Sequence, residues 1–245
     1  MNKLNWLLSL KKCKKAKLSW IVLGSCLVFL GLGSVSQAAE RVISQNLRSD
    51  IKNRSGASFE GLVRGWESVY GSTAFGPLVE IASDKTLSDS DRYIALMSAA
   101  KLGGAQGAAT IQSFLKDRSW MIRSGALRAL AALDSPETAD ATLPLLRDPA
   151  LVVRAEAVET VKVLKPKGAV QALVGALKDE ANYQGGMAQW VPQKALRALI
   201  DLRAKSAAQE VGSLIQSPLA QKDLEFKKQA SQTLEILQKR THLSK

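Results

Sequence analysis

The chain has 245 residues, of which 46% are apolar and 23% are charged, so its composition is that of a globular protein and excludes a disordered or collagen-like one. Its formal net charge is +12, from 34 Lys and Arg against 22 Asp and Glu. Taken alone, this charge would suggest an anionic partner such as nucleic acid or a membrane surface.

Residues 1–38 have the pattern of a bacterial secretory signal peptide. Six lysines precede an apolar run over residues 21–35, which is short for a helix that spans a bilayer. The small residues Ser36 and Ala38 predict cleavage after Ala38. An uncleaved anchor is the alternative, since Trp20 can lengthen the run. The remainder is expected to be periplasmic or secreted, or anchored in the inner membrane and facing the periplasm.

Both cysteines, Cys13 and Cys26, lie in this leader. The segment Leu23-Gly24-Ser25-Cys26 resembles a lipobox, so lipidation at Cys26 is a further alternative. Cleavage after Ala38 would leave 207 residues with no cysteine and a net charge of +6, because six of the 34 basic residues are in the leader. Such a mature chain has no disulfide, thiolate nucleophile or thiolate metal site.

An internal repeat of 31 residues follows. Leu-Lys/Arg-Asp segments end at Asp117, Asp148 and Asp179, and parallel columns of residues keep the same spacing: Arg92, Arg123 and Arg154; Ala95, Ala126 and Ala157; Leu102, Leu133 and Leu164. Apolar residues recur at three and four within each unit, on both sides of a polar turn, with Ser119 a candidate helix N-cap. Each unit is therefore predicted to be two antiparallel helices.

Alanines on these helices allow neighbouring units to pack closely, and each unit completes the core of the next. The sequence predicts an all-α fold: a right-handed α-solenoid of about five two-helix repeats over residues 74–239. Residues 39–73 are predicted to form an N-terminal helical cap, with a helix behind a Ser58 cap packing Leu62, Val63, Trp66 and Val69 on the first repeat. Residues 240–245 form a C-terminal tail.

The unit over residues 143–157, LPLLRDPALVVRAEA, resembles a HEAT repeat of the short, PBS-lyase type. In that family the turn Asp and the Arg of the second helix form a ladder between repeats. The resemblance implies that Asp117, Asp148 and Asp179 pair with Arg123 and Arg154 and are structural. Pro192 replaces the arginine of the fourth unit, so the ladder is expected to break there.

The fourth unit carries a seven-residue expansion within residues 180–190, between its two helices. Insertions of this kind often form the binding edge of a repeat array. Tyr183, Met187 and Trp190 make it a candidate partner-binding loop, since aromatic residues are frequent in binding hot spots. The alternative is that Trp190 folds back beside Pro192 and seals the groove.

A second candidate surface lies two positions after the alanine column. It comprises Met97, Arg128, Glu159, Arg197 and Gln232, of which Arg128, Glu159 and Arg197 are the charged candidates. The mixture of charges favours a protein partner over nucleic acid, which would call for a mostly basic groove with aromatic platforms. An inert, solvated face is the alternative.

Catalysis, cofactors and metals are not expected. The single histidine, His242, lies in the tail, so nucleophile–histidine pairs and histidine metal sites have no base or ligand. The expected function is an exported, non-catalytic scaffold or adaptor that binds a protein or peptide partner in the cell envelope, with membrane contact only through an uncleaved leader. The alternative is an accessory or lyase-like protein that holds a small apolar ligand near the 180–191 loop.

Overall fold

The computed structural model describes residues 24–54 and 56–239, with side chains from Gln37 onward. The chain divides into two units after Ala39, and the second unit carries the repeats. Most of the predicted leader, including Cys13 and the side chain of Cys26, lies outside the described residues, as does the tail with His242. Within the described residues, no helix has the length and apolarity needed to cross a membrane.

Two helices precede the repeats: α1 (Gly24–Lys52) and α2 (Phe59–Tyr70). The predicted cap at Ser58 is confirmed, because its hydroxyl accepts a bond from the Gly61 amide at 3.1 Å. Val63 and Trp66 are buried, and the Trp66 indole donates to Asp50 of α1 at 2.8 Å. The prediction for Val69 is wrong: it lies on the outer side of α2 and is 70% exposed.

The first two repeats follow the predicted helix pairs. The first consists of α3 (Phe75–Ser83) and α4 (Asp89–Gly103). The second consists of α5 (Ala108–Ser113), continued by a 3₁₀ turn over Phe114–Lys116, and α6 (Trp120–Leu133). Ser119 stands at the N-cap position of α6, but its hydroxyl donates to Asp89 at 2.6 Å and does not cap the helix.

The third repeat departs from the prediction in its first helix. A 3₁₀ helix spans Pro136–Arg147 and precedes α7 (Leu151–Leu164). Pro144 lies inside it, and a proline ring there clashes with the carbonyl that an α-helix places four residues earlier. Thr138 and Thr142 donate their hydroxyls to carbonyls three residues back, which supports the tighter turn.

The fourth repeat contains a hairpin that helical periodicity does not predict. Helix α8 (Ala169–Lys178) is followed by antiparallel β1 (Tyr183–Gln184) and β2 (Met187–Ala188), and then by α9 (Trp190–Asp201). Gly185 and Gly186, with φ of 60° and 84°, form its two-residue turn, which requires positive φ at both positions. The fifth repeat is α10 (Ala208–Gln216), α11 (Pro218–Gln221) and α12 (Leu224–Lys239).

One core runs through all of the repeats and into the cap, from Leu47 to Leu237. The alanine column is buried throughout, at Ala95, Ala126, Ala157, Ala195 and Ala230. These small residues let second helices of adjacent repeats pack side by side, as α4, α6, α7, α9 and α12 do in order. The predicted all-α solenoid of HEAT-like repeats is confirmed.

Candidate functional site

Two rungs of an arginine–aspartate ladder are present between successive repeats. Arg123 forms a two-pronged bond to Asp148, with its Nε 2.7 Å from Oδ2 and its Nη2 2.8 Å from Oδ1. One repeat earlier, Arg92 approaches Asp117 at 2.5 Å. Paired groups with this planar geometry form strong, directional bonds. Arg123, Asp117 and Asp148, which the resemblance assigns to the ladder, therefore lie in it, and Arg92 joins them.

Each ladder residue also organises its own turn. The remaining Nη1 of Arg123 donates to the carbonyls of Asp117 and Arg118, and Asp117 accepts the Ser119 amide at 2.8 Å. Burial acts to raise the pKa of Asp117, but the bonds from Arg92 and Ser119 outweigh burial and lower the pKa below its usual value. The carboxylate is thus held ionised as a structural group.

The expectation that Asp179 belongs to the ladder is wrong. Arg154 does not bind Asp179: its Nε donates to the Asn182 side-chain oxygen at 2.7 Å, and its Nη2 donates to the Ala181 carbonyl at 2.9 Å. Asp179 instead accepts the Ala181 amide at 3.0 Å. The expansion of the fourth repeat begins here, and it places Asn182, which is fully buried, where the aspartate would otherwise stand.

The ladder also continues at both ends beyond the predicted residues. In the cap, Arg48 binds Asp84 at 2.7 Å and Glu80 at 3.1 Å. At the other end, Asp223 accepts the backbone amide of Ala188 at 3.0 Å. Strand β2 of the hairpin therefore supplies the hydrogen-bond donor that an arginine supplies in the earlier repeats, since Pro192 stands at the arginine position here. The sequence shows aspartates in these turns, Asp84 and Asp223. It does not predict their partners, because Arg48 precedes the repeats and Ala188 lies in the expansion of the fourth repeat.

The second predicted surface (Met97, Arg128, Glu159, Arg197 and Gln232), which we call the outward column, has three charged residues that differ in their contacts. Arg128 is exposed and binds Glu156 at 3.0 Å, which raises the pKa of Arg128. Glu159 contacts Lys162 at 2.7 Å and Lys194 at 2.6 Å; burial acts to raise the pKa of Glu159, and these two lysines lower it overall. Arg197 is exposed and forms no ion pair within the part of the chain that the structure describes.

The three loop candidates have different environments. The Tyr183 hydroxyl donates to the Leu177 carbonyl at 2.7 Å, and its ring meets the Phe226 ring edge to face at 5.9 Å. Met187 and Trp190 are more than half exposed. Tyr183, and not Trp190, therefore packs inward, so the alternative in which Trp190 seals the groove is wrong. Burial, and secondarily the charge of Asp223, raise the pKa of Tyr183.

A cleft of about 600 Å³ lies between the hairpin, α9 and α12. It brings together residues from both predicted surfaces: Met187 of the loop, and Arg197 and Gln232 of the column. Ile200, Phe226 and Ile236 supply apolar walls, while Gln193 and Gln229 line it with amides. The Gln229 amide is partly engaged, donating to the Gln193 carbonyl at 3.2 Å. The cleft thus offers hydrogen-bonding groups beside apolar surface.

Nothing in the described ranges gathers three or more His, Cys, Asp or Glu side chains into a group that could hold a metal ion. The carboxylates Asp117, Asp148 and Asp223 are each committed to arginine or backbone donors.

A family model described as HEAT repeats matches residues 77–162. Two similar solved structures are crystal structures of engineered proteins from the Northeast Structural Genomics Consortium. The first is 18% identical, covering 79% of this chain and 97% of that chain, with a TM-score of 0.45. The second is 23% identical, covering 82% of this chain and 53% of that chain, with a TM-score of 0.39. No curated protein matches the chain. The family match supports a HEAT-repeat protein.

Proposed function

We propose that this chain is an exported, non-catalytic HEAT-repeat scaffold or adaptor, and that its cleft binds a peptide segment of a protein partner in the cell envelope. The observation that carries the proposal is the meeting of Met187, Arg197 and Gln232 in one cleft. A peptide presents backbone amides and carbonyls together with side chains, and the cleft offers amide groups and apolar walls to match them.

Arg197 gives the cleft a preference for a negatively charged ligand. Its charge faces open space, with Ile200 one turn further along α9 and Ile236 across the cleft. Two acids line the cleft, Asp223 and Glu225, and Asp223 is already bound to the Ala188 amide. A segment with a carboxylate beside an apolar side chain would pair with Arg197 and cover the isoleucines.

The partner is identified by affinity capture from an envelope fraction with the full chain as bait, and in parallel by selecting peptides from a displayed random library. We expect stoichiometric capture of one protein, and selected peptides that carry an acid next to an apolar residue. Arg197→Glu should abolish both. The matched control, Lys205→Glu, makes the same charge change at an exposed residue away from the cleft lining. Capture that survives Arg197→Glu would remove the cleft from the proposal.

Arg128 has a different role in this proposal from the one the column suggested. Its guanidinium is already bound to Glu156 and lies 3.3 Å from the Tyr93 hydroxyl, so it is less available to a partner than Arg197. Arg128→Glu is expected to weaken capture less than Arg197→Glu does. An equal loss would extend the binding surface along the whole column of second helices.

The alternative function, holding a small apolar ligand near the 180–191 loop, has less support. Tyr183 is committed to Leu177 and Phe226, and the open space beside the loop is lined by arginine and glutamine as well as isoleucine. Binding of a small apolar dye that is lost on Ile200→Asn, with no selected peptide that binds through Arg197, would favour it.

Export is the second part of the proposal. The lysine-rich leader and the small residues Ser36 and Ala38 support cleavage after Ala38. N-terminal sequencing of the protein from the envelope fraction tests this directly. A mature chain that begins at Ala39 is expected, whereas an intact N-terminus would indicate a retained anchor and a lipid-modified Cys26 would indicate a lipoprotein.

A further inference from the structure

The turns inside the repeats lie side by side along one edge of the solenoid. The ladder bonds join them in order, since Arg92 reaches Asp117, Arg123 reaches Asp148, and Arg154 reaches Asn182. We call this the turn edge and define it by residues 84–88, 116–120, 147–152, 178–190 and 222–225. It is distinct from the outward column of the second helices.

Large apolar side chains are exposed along the turn edge. Nine are exposed in the described residues, and five of these belong to this edge: Trp120, Val152, Met187, Trp190 and Leu224. Four of the five stand at the first or second residue of a second helix, at α6, α7, α9 and α12. Repetition at equivalent positions makes a row of apolar tips, in contrast with the single exposed residues that any surface carries.

Basic side chains accompany these tips. Lys116, Arg118 and Arg147 are exposed and form no ion pair within the residues that the structure describes. The neighbouring carboxylates do not offset them, because Asp117 and Asp148 are already bound to ladder arginines. Lys85 and Lys222 add two further positive charges to this edge, whereas the charge of Lys178 is paired with Glu210. At the last two turns the negative charges of Asp179, Glu180 and Glu225 offset the basic residues. The positive excess is therefore concentrated at the first three turns.

We propose that the turn edge is a peripheral membrane-binding surface for bilayers that contain anionic lipid. Tryptophan prefers the headgroup level of a bilayer, and the exposed side chains of Trp120 and Trp190 both belong to this edge. Lysine and arginine beside such residues bind lipid phosphates, each strengthening attachment roughly fivefold near an anionic surface. Basic side chains and exposed tryptophans on one edge match the phosphates and the headgroup level of an anionic bilayer, which favours a bilayer as the occupant. This contact is independent of the leader.

The test uses the full chain mixed with vesicles. Because the leader can also contact lipid, the measurement must report on the turn edge alone. The leader tryptophans are removed as Trp6→Phe and Trp20→Phe, leaving the buried Trp66 with Trp120 and Trp190. Fluorescence is measured in vesicles of phosphatidylcholine alone and of phosphatidylcholine with phosphatidylglycerol, each including acyl-brominated phosphatidylcholine as quencher. Adding Trp120→Phe and Trp190→Phe gives the residual signal of Trp66.

We expect the emission of Trp120 and Trp190 to be quenched and shifted to shorter wavelength in the anionic vesicles, and to remain unquenched in phosphatidylcholine alone. Lys116→Glu with Arg118→Glu and Arg147→Glu should remove the quenching, since loss of three basic contacts weakens attachment roughly 100-fold or more. Lys101→Glu with Lys167→Glu and Lys205→Glu is the matched control, because these exposed residues lie towards the opposite ends of the second helices and should leave quenching intact.

Equal quenching in both lipids, no quenching in either, or equal loss in the two triple variants would overturn the proposal. Capture of a soluble envelope protein that depends on Trp120 and Trp190, without quenching, would assign the edge to a protein partner. Circular dichroism checks that the variants are folded. If the glutamate triple unfolds, Lys116→Gln with Arg118→Gln and Arg147→Gln replaces it, with the same expectation. Peptide capture through Arg197 is measured separately, so the two surfaces can fail independently.

Discussion

A ladder arginine uses its whole guanidinium group. Arg123 directs two nitrogens to Asp148 of the next repeat and the third to carbonyls of its own turn, and Arg154 repeats the pattern with Asn182 and the carbonyl of Asp148. Both arginines are largely buried, so every donor that is lost would leave an unsatisfied group. Lysine has no planar fork and could not satisfy both directions at once.

We therefore expect Arg123→Ala to lower the free energy of unfolding by about 3 kcal/mol, because it leaves the Asp148 carboxylate buried without its cation. Denaturant unfolding followed by circular dichroism measures the change. Arg147→Ala is the control: Arg147 adjoins Asp148 in sequence but is exposed and forms no ion pair in the described part of the chain. Similar losses in the two variants would mean that the ladder contributes no more than general charge.

The pKa shifts make the ladder sensitive to acid. Bonds from Thr86 and Arg48 lower the pKa of Asp84 to about 2 from an ordinary value of 3.8, and the pKa of Asp117 is also lowered. A carboxylate whose pKa is lower in the folded state stabilises fully above its unfolded pKa, and this stabilisation is lost as the pH falls through the folded value. The ladder should therefore weaken below about pH 4.

Asp117→Asn tests this titration. The variant is expected to be less stable than the wild-type chain at pH 6 and closer to it at pH 3, since the amide has no proton to gain. Melting temperatures across this range give the comparison, and Asp140→Asn, at an exposed residue outside the ladder, should run parallel to the wild-type chain. Parallel curves for Asp117→Asn as well would show that this carboxylate is not stabilised by the fold.

At the scale of elements, the 31-residue period predicted the helix pairs, because regular packing repeats regular contacts, and the family resemblance implied a ladder that includes Arg123 and Asp148. The period could not predict the 3₁₀ helix of the third repeat, which depends on Pro144, or the partner of Arg154, which depends on the path of an insertion. Inside that insertion no period operates, so the sequence identified Tyr183, Met187 and Trp190 but not which ring packs inward. The phenol of Tyr183 does so because a carbonyl acceptor and Phe226 are both within its reach.

Tyr183 and Trp190 consequently make a matched pair of variants. Tyr183→Ala removes the contact with Phe226 and the bond to the Leu177 carbonyl, and it should lower the free energy of unfolding by about 2 kcal/mol. Trp190→Ala truncates a side chain that is 57% exposed and should change stability by less than about 0.5 kcal/mol, while weakening attachment to anionic vesicles. Thermal melts of the two variants measure whether the loss of stability is larger for Tyr183→Ala, as expected. A larger loss for Trp190→Ala would show that its indole packs against the fold in solution.

At the scale of the molecule, the ladder joins the repeats from the cap to the last helix with a different donor at each end. Arg48 provides it on the cap side, and the Ala188 amide on β2 provides it to Asp223. Terminal repeats of a solenoid have one neighbour each and open first, so their stability rests on few contacts. Because the hairpin supplies one of these contacts and also forms a wall of the cleft, opening of the last repeat and loss of the cleft should be coupled.

Asp223→Ala tests that coupling. It leaves the amides of Ala188 and Phe226 without their acceptor, at a cost of about 1–3 kcal/mol, so hydrogen exchange across Leu224–Lys239 should accelerate about fivefold or more. Exchange in α4 and α6 should be unchanged, since these helices lie in other repeats and keep their own ladder bonds. Glu225→Ala, two residues away at an exposed side chain, is the control. Acceleration spread evenly over all the repeats would mean that the array unfolds as one cooperative unit, and that the hairpin does not set the stability of its last repeat.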